Sequence, residues 1–214
     1  MNTSKKASHF LFWGTLVIPL NSPSPQWHTM TYSNLKPNVV YFSKQGLTIK
    51  VNSSASPLFY ELPKVVKVKT LKVSGEFLGL PKSKPTATEG EDDDLPLRLG
   101  LVESSNEKPS WIQKFLSPQW IKELFELFPN QGIKKVRFIT LSTNKEVGDF
   151  RIHPKSDFLE ETVALKQKNP GPFDINYIFT TPIPAIALWI QCDGDNTQSN
   201  FTVRLKTLEI ETEK

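Results

Sequence analysis

Two short polar segments carry the residue types that could do chemistry. One is Asp193-Gly194-Asp195-Asn196-Thr197, which begins three residues after the end of the apolar run 185–190. Alternate carboxylates with an Asn present several oxygens to a hard cation, so Asp193 and Asp195 are the candidate ligands for a structural calcium ion. The segment lacks the later Glu of an EF-hand loop. The alternative is an acidic turn whose Asp and Asn side chains accept hydrogen bonds from backbone N–H groups.

The other segment is the polar loop 82–94, which ends in a run of acidic residues shortly before Arg98. Such a run is usually solvated. If the loop folds beside the 193–197 turn, its carboxylates repel those of the turn unless a cation or an arginine joins them. Arg98 is the internal counter-charge that the sequence offers.

Established catalytic motifs are absent from the sequence. The histidines His9, His28 and His153 are isolated, and the single cysteine, Cys192, allows neither an intrachain disulfide nor a cysteine-based zinc site. There is no Gly-x-Ser-x-Gly elbow, Walker loop or Gly-x-Gly-x-x-Gly fingerprint. Carboxylate pairs of the kind that hydrolyse glycosides are available, but their spacing selects no pair. We therefore assign no catalytic residue.

Aromatic side chains are the remaining chemical handle. An exposed Trp on a sandwich face can stack on a sugar ring, although Trp is more often a core residue. Trp111 follows Pro109-Ser110 and is the candidate stacking residue, whereas Trp189 lies in an apolar run and is assigned to the core.

The charge pattern argues against a nucleic-acid partner. The chain has 26 basic and 22 acidic residues, a formal net charge of +4. The basic residues often alternate with apolar ones, as in Lys67-Val68-Lys69, which is typical of the wet face of a strand. Nucleic-acid binders usually concentrate Lys and Arg on one face or in one run.

The elements that must position these residues are short strands. Runs 39–42 and 47–51 flank a turn with Gly46, which predicts a hairpin. Apolar and polar residues alternate through 66–77 with a change of phase near Thr70, which indicates a bulge. Further strands are predicted at 58–62, 97–101, 136–141, 162–165 and 201–210. The nearly continuous apolar run 185–190 predicts a strand buried on both faces.

One segment, 117–129, has the pattern of a helix. Ser117 is a good N-cap, Pro118 suits the first turn, and Pro129 ends the helix. Its broad apolar face is expected to pack across an open end of the sandwich. The alternative is a lid or a surface for a protein partner, which requires that apolar face to be exposed.

The N-terminus has the plan of a signal peptide. Lys5 and Lys6 precede the apolar run 10–20, and the Pro-containing stretch 21–25 follows. The run is too short to span a membrane. We therefore expect residues 1–25 to be a signal peptide and linker, residues 26–214 to form one domain, and the mature chain to be periplasmic or secreted. The alternative is a buried first strand, or an apolar helix joined to the domain by a Pro-rich linker.

Several of these segments resemble DUF3047, a family of uncharacterised bacterial exported proteins. The resemblance rests on Trp27 and Thr31-Tyr32, on Ser53-Ser54-Ala55-Ser56, on the Asp93–Leu99 segment, and on the Ala185–Thr197 segment. The Trp-x-Trp pair that is usual in the family is missing from 71–76, so any function of that pair is in doubt here. The resemblance implies a β-sandwich akin to carbohydrate-binding modules and an exported location, but no reaction.

Together these observations predict an all-β, jelly-roll-like sandwich with one short helical insertion. The polar segments that match the family supply the candidate ligand- or cation-binding residues: Asp93, Asp94, Arg98, Asp193, Asp195, Asn196 and Thr197. We expect a non-catalytic module for a polysaccharide or other cell-envelope ligand, with no cofactor unless calcium is bound. The alternatives are a glycan hydrolase that uses Asp/Glu pairs and a structural envelope protein that binds a partner through the 117–129 helix.

Overall fold

Strands dominate the fold. The computed structural model describes residues 14–82, 94–106, 119–129, 131–153 and 156–213. In these ranges the chain forms eleven strands and one helix: β1 (Gly14–Val17), β2 (Trp27–Thr29), β3 (Val39–Ser43), β4 (Gly46–Asn52), β5 (Ala55–Leu78), β6 (Leu97–Ser105), α1 (Gln119–Leu127), β7 (Gly132–Ser142), β8 (Phe150–His153), β9 (Ser156–Lys166), β10 (Gly171–Asp193) and β11 (Asn200–Glu213). The predicted all-β sandwich with one short helix is confirmed.

Two long strands, β5 and β10, belong to both layers of the sandwich. The hydrogen-bonded order is β3-β4-β11-β5-β10-β6-β7-β9-β8, with β1 added to β11 and β2 added to β5. We call layer A the part built from β1, β3, β4, β11, the second half of β5 and the first half of β10. Layer B contains β2, the first half of β5, the second half of β10, and β6 to β9. All pairs are antiparallel except β7 with β9, which are parallel.

The main core lies between the two layers. Leu47, Val73 and Leu208 contribute from layer A, and Leu99 and Leu188 contribute from layer B. We call the side of layer B that these residues occupy its inner face. Because side chains alternate along a strand, the neighbours of Leu99 and Leu188 point to the opposite, outer face.

Helix α1 covers part of that outer face. Its apolar residues Ile121, Leu124 and Phe125 are buried in a second cluster with Phe59 and Trp189. The helix therefore packs on the outer face of layer B, and the expectation that it closes an open end of the sandwich is wrong. Its stripe is buried because the sheet itself offers an apolar outer face there. This burial removes the main support for a partner surface on the helix.

The predicted hairpin, bulge and buried strand are all present in the structure. Ser43 pairs with Gly46 in the predicted hairpin, and Gly46 has a φ of 110°, in the region that favours glycine. The predicted bulge near Thr70 is present, because Thr70 and Val68 pair with successive residues of β11 and leave Lys69 out of the ladder. Every residue from Ala185 to Ile190 is buried, as predicted for a strand covered on both faces.

The described fold begins at Gly14. Leu16 in β1 pairs with Ile210 in β11, and Ile18 and Leu20 are buried in the main core. β1 itself is largely exposed, with Val17 62% accessible, so it is not the buried first strand of the alternative interpretation, although the residues after it enter the core. The division into residues 1–25 and 26–214 stays a prediction. Export stays a prediction.

Within the described ranges, no helix has both the length and the apolar character needed to cross a membrane.

Candidate functional site

An open pocket of about 250 Å³ lies on the outer face of layer B, beside the cluster under α1. Strands β6 to β10, the loop after β2 and the 194–199 turn all contribute to it. We call it the outer pocket, and its lining residues are Tyr32, Leu35, Arg98, Phe138, His153, Ser156, Leu159, Glu161, Trp189, Gln191, Asp193, Asp195 and Asn196.

Strand register places the polar floor of this pocket. Trp189, Gln191 and Asp193 alternate along β10 and point to the outer face. Gln191 pairs with Arg98 in β6, and Trp189 pairs with Gly100. Position 100 needs a glycine because a Cβ there would lie 2.6 Å from Cε1 of Phe138. The Phe138 ring therefore lies close to Gly100, and it belongs both to the apolar cluster under α1 and to the pocket lining.

The floor contains a buried charge network. One guanidinium nitrogen of Arg98, Nη1, lies 3.3 Å from Asp193 Oδ2, and its Nε lies 3.3 Å from Glu161 Oε1. Arg151 Nε donates to Glu161 Oε2 at 2.6 Å. The side chains of Arg98, Glu161 and Asp193 are only 6%, 4% and 10% exposed. Removing one partner of an ion pair this deep in a protein is strongly destabilising, because the other charge stays buried without compensation.

A second set of hydrogen bonds fixes the amide of Gln191. Its Nε2 donates to Asp193 Oδ2 at 3.2 Å, and its Oε1 accepts from Trp189 Nε1 at 3.1 Å and from the Tyr32 hydroxyl at 3.3 Å. Burial, followed by the negative charge of Asp193, raises the pKa of Tyr32. The Tyr32 hydroxyl therefore keeps its proton and remains a donor.

Asp193 is left with one unsatisfied oxygen. Two donors, Arg98 and Gln191, both reach Oδ2, whereas buried Oδ1 accepts no hydrogen bond from the described residues. Burial, and then a side-chain hydrogen bond with Asp195, raises the pKa of Asp193, while Arg98 opposes the rise. A hydrogen bond between two carboxyl groups needs a shared proton, so the raised pKa of Asp193 is consistent with its pairing to Asp195.

The raised pKa of Asp193 predicts a pH dependence of stability. The folded state holds the proton of Asp193 at pH values where the unfolded chain has lost it, so stability falls as pH rises above the usual value of 3.8 towards the folded-state pKa. In Asp193→Asn this contribution is absent, and we expect the slope of unfolding free energy against pH to become flatter there. Urea unfolding of both proteins from pH 4 to 8 measures it. An identical slope in the variant would contradict the assigned titration.

The two polar segments meet through Asp94. Its Oδ1 accepts from the backbone N of Asn196 at 3.2 Å, and its Oδ2 accepts from the backbone N of Thr197 at 2.8 Å and from the Thr197 hydroxyl. The side chain of Asp94 therefore caps the turn that follows β10. Ser54 and Ser199 complete the junction, because the turn amides of Gly194 and Ser53 donate to their carbonyl groups.

This arrangement bears on the calcium hypothesis. Oxygens of Asp94, Asp193 and Asp195 lie within 4.8 Å of one another. Backbone amides already satisfy Asp94, however, and Arg98 already neutralises Asp193, as in the capped acidic turn that was the alternative interpretation. Calcium binding by Asp193 and Asp195 stays a prediction.

The structure describes only some of the predicted site residues. Asp94, Arg98, Asp193, Asp195, Asn196 and Thr197 converge as set out above, whereas Asp93 and Trp111 lie outside the described residues. Trp189 belongs to the core, as predicted.

Sequence reasoning missed Glu161, Gln191 and the pocket position of His153. Tyr32 was named only as one of the residues that resemble the family, and not as a site residue. Glu161 and Gln191 gave no signal of their own, because strand pairing alone brings them beside Arg98.

Comparisons with known proteins give a fold likeness at low sequence identity. No family model and no curated protein matches the chain. Among solved structures, it is similar to the xylan-binding module CBM15, with 6% identity, a TM-score of 0.41, and coverage of 93% of this chain and 96% of that one.

Two other structures of this kind are a family 11 carbohydrate-binding module and the mannan-recognising module TmCBM27. The first, from Clostridium thermocellum, has 10% identity, a TM-score of 0.41, and coverage of 92% and 95% of the two chains. The second has 10% identity, a TM-score of 0.37, and coverage of 95% and 99%. Membership of DUF3047 stays a prediction.

Proposed function

We propose that the outer pocket binds a sugar residue of a glycan without catalysing a reaction. The observation that carries the proposal is the set of fixed polar side chains in the floor of an open pocket, with the half-buried carboxylate of Asp195 in its lining. A carboxylate that is reached from the pocket accepts charge-assisted hydrogen bonds from ligand hydroxyls. Polyhydroxylated ligands carry many such donors.

The rest of the lining supports the same class of ligand. Arg98 and Gln191 are planar polar groups held in one orientation by their partners, so little side-chain entropy is lost when a ligand binds. The ring of Tyr32 lines the wall and offers an apolar surface of the kind that sugar rings contact. A pocket of about 250 Å³ is suited to one ring of a longer chain rather than to a large ligand.

Asp195→Asn tests this proposal. Asp195 lines the pocket and is only half-buried, so the variant should fold while losing a charged acceptor for ligand hydroxyls. We expect about a tenfold loss of affinity for the neutral polysaccharide that the wild type binds best, the usual effect of losing one hydrogen bond to a charged group. Affinity electrophoresis against a panel that includes xylan, mannan and mixed-linkage glucan measures it.

The matched control is Asp174→Asn. Asp174 is an exposed aspartate in layer A, so its variant should bind like the wild type. Retention of the wild type on no member of the panel, or equal affinities for both variants, would contradict the proposal. Binding that is abolished by EDTA would instead favour calcium as the partner of Asp193.

A second candidate function, glycan hydrolysis, has one observation in its favour. Asp193 is a buried carboxyl with a raised pKa beside Asp195, and two carboxyl groups in different environments can serve as acid and base. Release of reducing ends from the same panel distinguishes the two functions. Turnover that is unchanged in both Asp193→Asn and Asp94→Asn would eliminate this site as the centre of hydrolysis.

The cellular setting belongs to the same proposal. A periplasmic or extracellular setting would bring such a module to its polysaccharide, and the export-like pattern of residues 1–25 supports it. Because residues 14–20 pair in the sheet and enter the core, export of this fold requires that segment to stay attached. Fractionation of the source cell, followed by detection of the chain, tests that location.

A further inference from the structure

A second groove, of about 400 Å³, lies on the opposite side of layer B from the outer pocket. It runs between the inner face of the edge strands β7, β9 and β8 and the part of β10 that crosses between the layers. We call it the inner groove, and its lining residues are Glu103, Lys134, Arg137, Phe138, Ile139, Phe150, Glu160, Thr162, Tyr177, Phe179, Thr180, Thr181, Pro182 and Ile183.

The groove is open because layer B extends beyond layer A. Phe150, Thr162 and Ile139 are aligned across β8, β9 and β7, and so point to the same face. Ile139 is buried in the core, whereas Phe150 at the end of the row is 60% exposed. Ile152, in the next inward-facing position of β8, is 50% exposed. At this edge, layer A no longer covers the inner face of layer B, so its apolar side chains are exposed to solvent.

The floor of the groove is a charge network with a positive surplus. Glu103 accepts from Lys134 Nζ at 3.0 Å and from Arg137 Nε at 2.6 Å. Glu160 accepts from Lys135 and from Nη1 of Arg137. Both carboxylates are nearly buried and each already has two cationic donors. Lys135 contacts Glu160 without lining the groove itself, and with it the network holds three cations against two anions, a net charge of +1.

The surplus charge is accessible to a ligand. The side chain of Lys134 is 56% exposed, and each ammonium group has three N–H donors, of which Glu103 takes one. The two carboxylates are nearly buried whereas Lys134 is exposed, so a ligand in the groove meets mainly the donors of Lys134. Hydroxyl groups of Thr162, Thr180 and Thr181 line the remainder.

We propose that the inner groove binds a second class of glycan, one that carries carboxylate groups on its sugar rings. A uronate carboxylate would be paired with Lys134 and Arg137, ring hydroxyls would contact the threonines, and the apolar face of a ring would lie against Phe150. This site is separate from the outer pocket, and it shares with the proposed function only the general class of ligand.

The test uses oligogalacturonate as the probe and calorimetric titration of the full chain. Lys134→Gln should weaken binding about tenfold, because a charge-assisted hydrogen bond is lost, and should reduce the salt dependence of the affinity. Phe150→Ala should weaken binding about threefold, since an aromatic contact is lost. Neutral oligosaccharides should bind both variants as they bind the wild type.

Lys206→Gln is the matched control. Lys206 is 49% exposed and pairs with Glu76 in layer A, as Lys134 pairs with Glu103. Asp195→Asn, which tests the outer pocket, should leave oligogalacturonate binding intact, so the two sites can fail independently. No binding of oligogalacturonate by the wild type, or equal affinities for Lys134→Gln and Lys206→Gln, overturns the inference.

Discussion

Replacing Arg98 with Met is expected to lower the free energy of unfolding by about 3–5 kcal/mol at neutral pH. The guanidinium group of Arg98 lies between the carboxylates of Asp193 and Glu161, and all three side chains are buried. Met fills most of the space but carries no charge, so Asp193 loses the guanidinium beside its Oδ2 and Glu161 loses its contact with Arg98. Urea unfolding followed by tryptophan fluorescence measures the loss.

Arg204→Met provides the comparison for Arg98→Met. Arg204 pairs with Glu76 in layer A, but this pair is in contact with solvent, and we expect a loss of about 1 kcal/mol or less. The loss in Arg98→Met should also shrink towards acidic pH, because protonation removes the uncompensated negative charge. Equal losses in the two variants, independent of pH, would show that Arg98 does not neutralise the floor of the outer pocket.

Asp94→Ala should lower the free energy of unfolding by about 3 kcal/mol, because several buried donors lose a charged acceptor together. Those donors are the backbone amides of Asn196 and Thr197 and the Thr197 hydroxyl. Removal of that hydroxyl alone, in Thr197→Val, should cost about 1 kcal/mol. Chemical denaturation gives the stability of both variants.

Hydrogen exchange separates this local role from a general loss of stability. In Asp94→Ala, the amides of Asn196 and Thr197 should lose more protection than the drop in global stability alone explains. Asp174→Ala, at an exposed site, is the control and should change neither quantity. Unchanged protection of both amides would mean that Asp94 does not hold the turn.

The strands could be predicted from the sequence because their residues alternate or run continuously apolar. Gly46 marked the hairpin, and the apolar run 185–190 marked a strand that is covered on one side by the core and on the other by α1. The face that α1 covers could not be predicted, since an apolar stripe does not indicate which apolar surface it meets.

The length of β5 could not be predicted because Pro63 interrupts the apolar pattern. Proline lacks an N–H group to donate to a ladder, so in sheets it is favoured at edges, strand starts and bulges. In the structure, Glu61 pairs with Ala187 and Val66 pairs with Ala185, so Pro63 lies in the gap where β5 passes from layer B to layer A. The interruption that looked like a strand end is the crossing between layers.

The candidate site was predictable only in part. The two polar segments flank apolar strands and were expected to meet. That expectation correctly placed Asp94 and Arg98 near the 193–197 turn. Glu161 could not be found in this way, because it reaches Arg98 through β9, whose parallel pairing with β7 has no local sequence signal. The role of Asp94 was also not specified, since a capping carboxylate and a cation ligand have the same residue type.

The indole N–H of Trp189 provides the most direct measurement of ligand binding in the outer pocket. This group donates to Gln191 Oε1 within the pocket floor, whereas the indole N–H of Trp27 donates to the carbonyl of Pro19, away from the pocket. In a titration of the labelled protein with the neutral oligosaccharide that it binds best, followed by two-dimensional NMR, we predict a saturable shift of the Trp189 indole signal and none of the Trp27 signal. Saturable binding that leaves the Trp189 indole and the Asn196 amide unmoved would contradict the account.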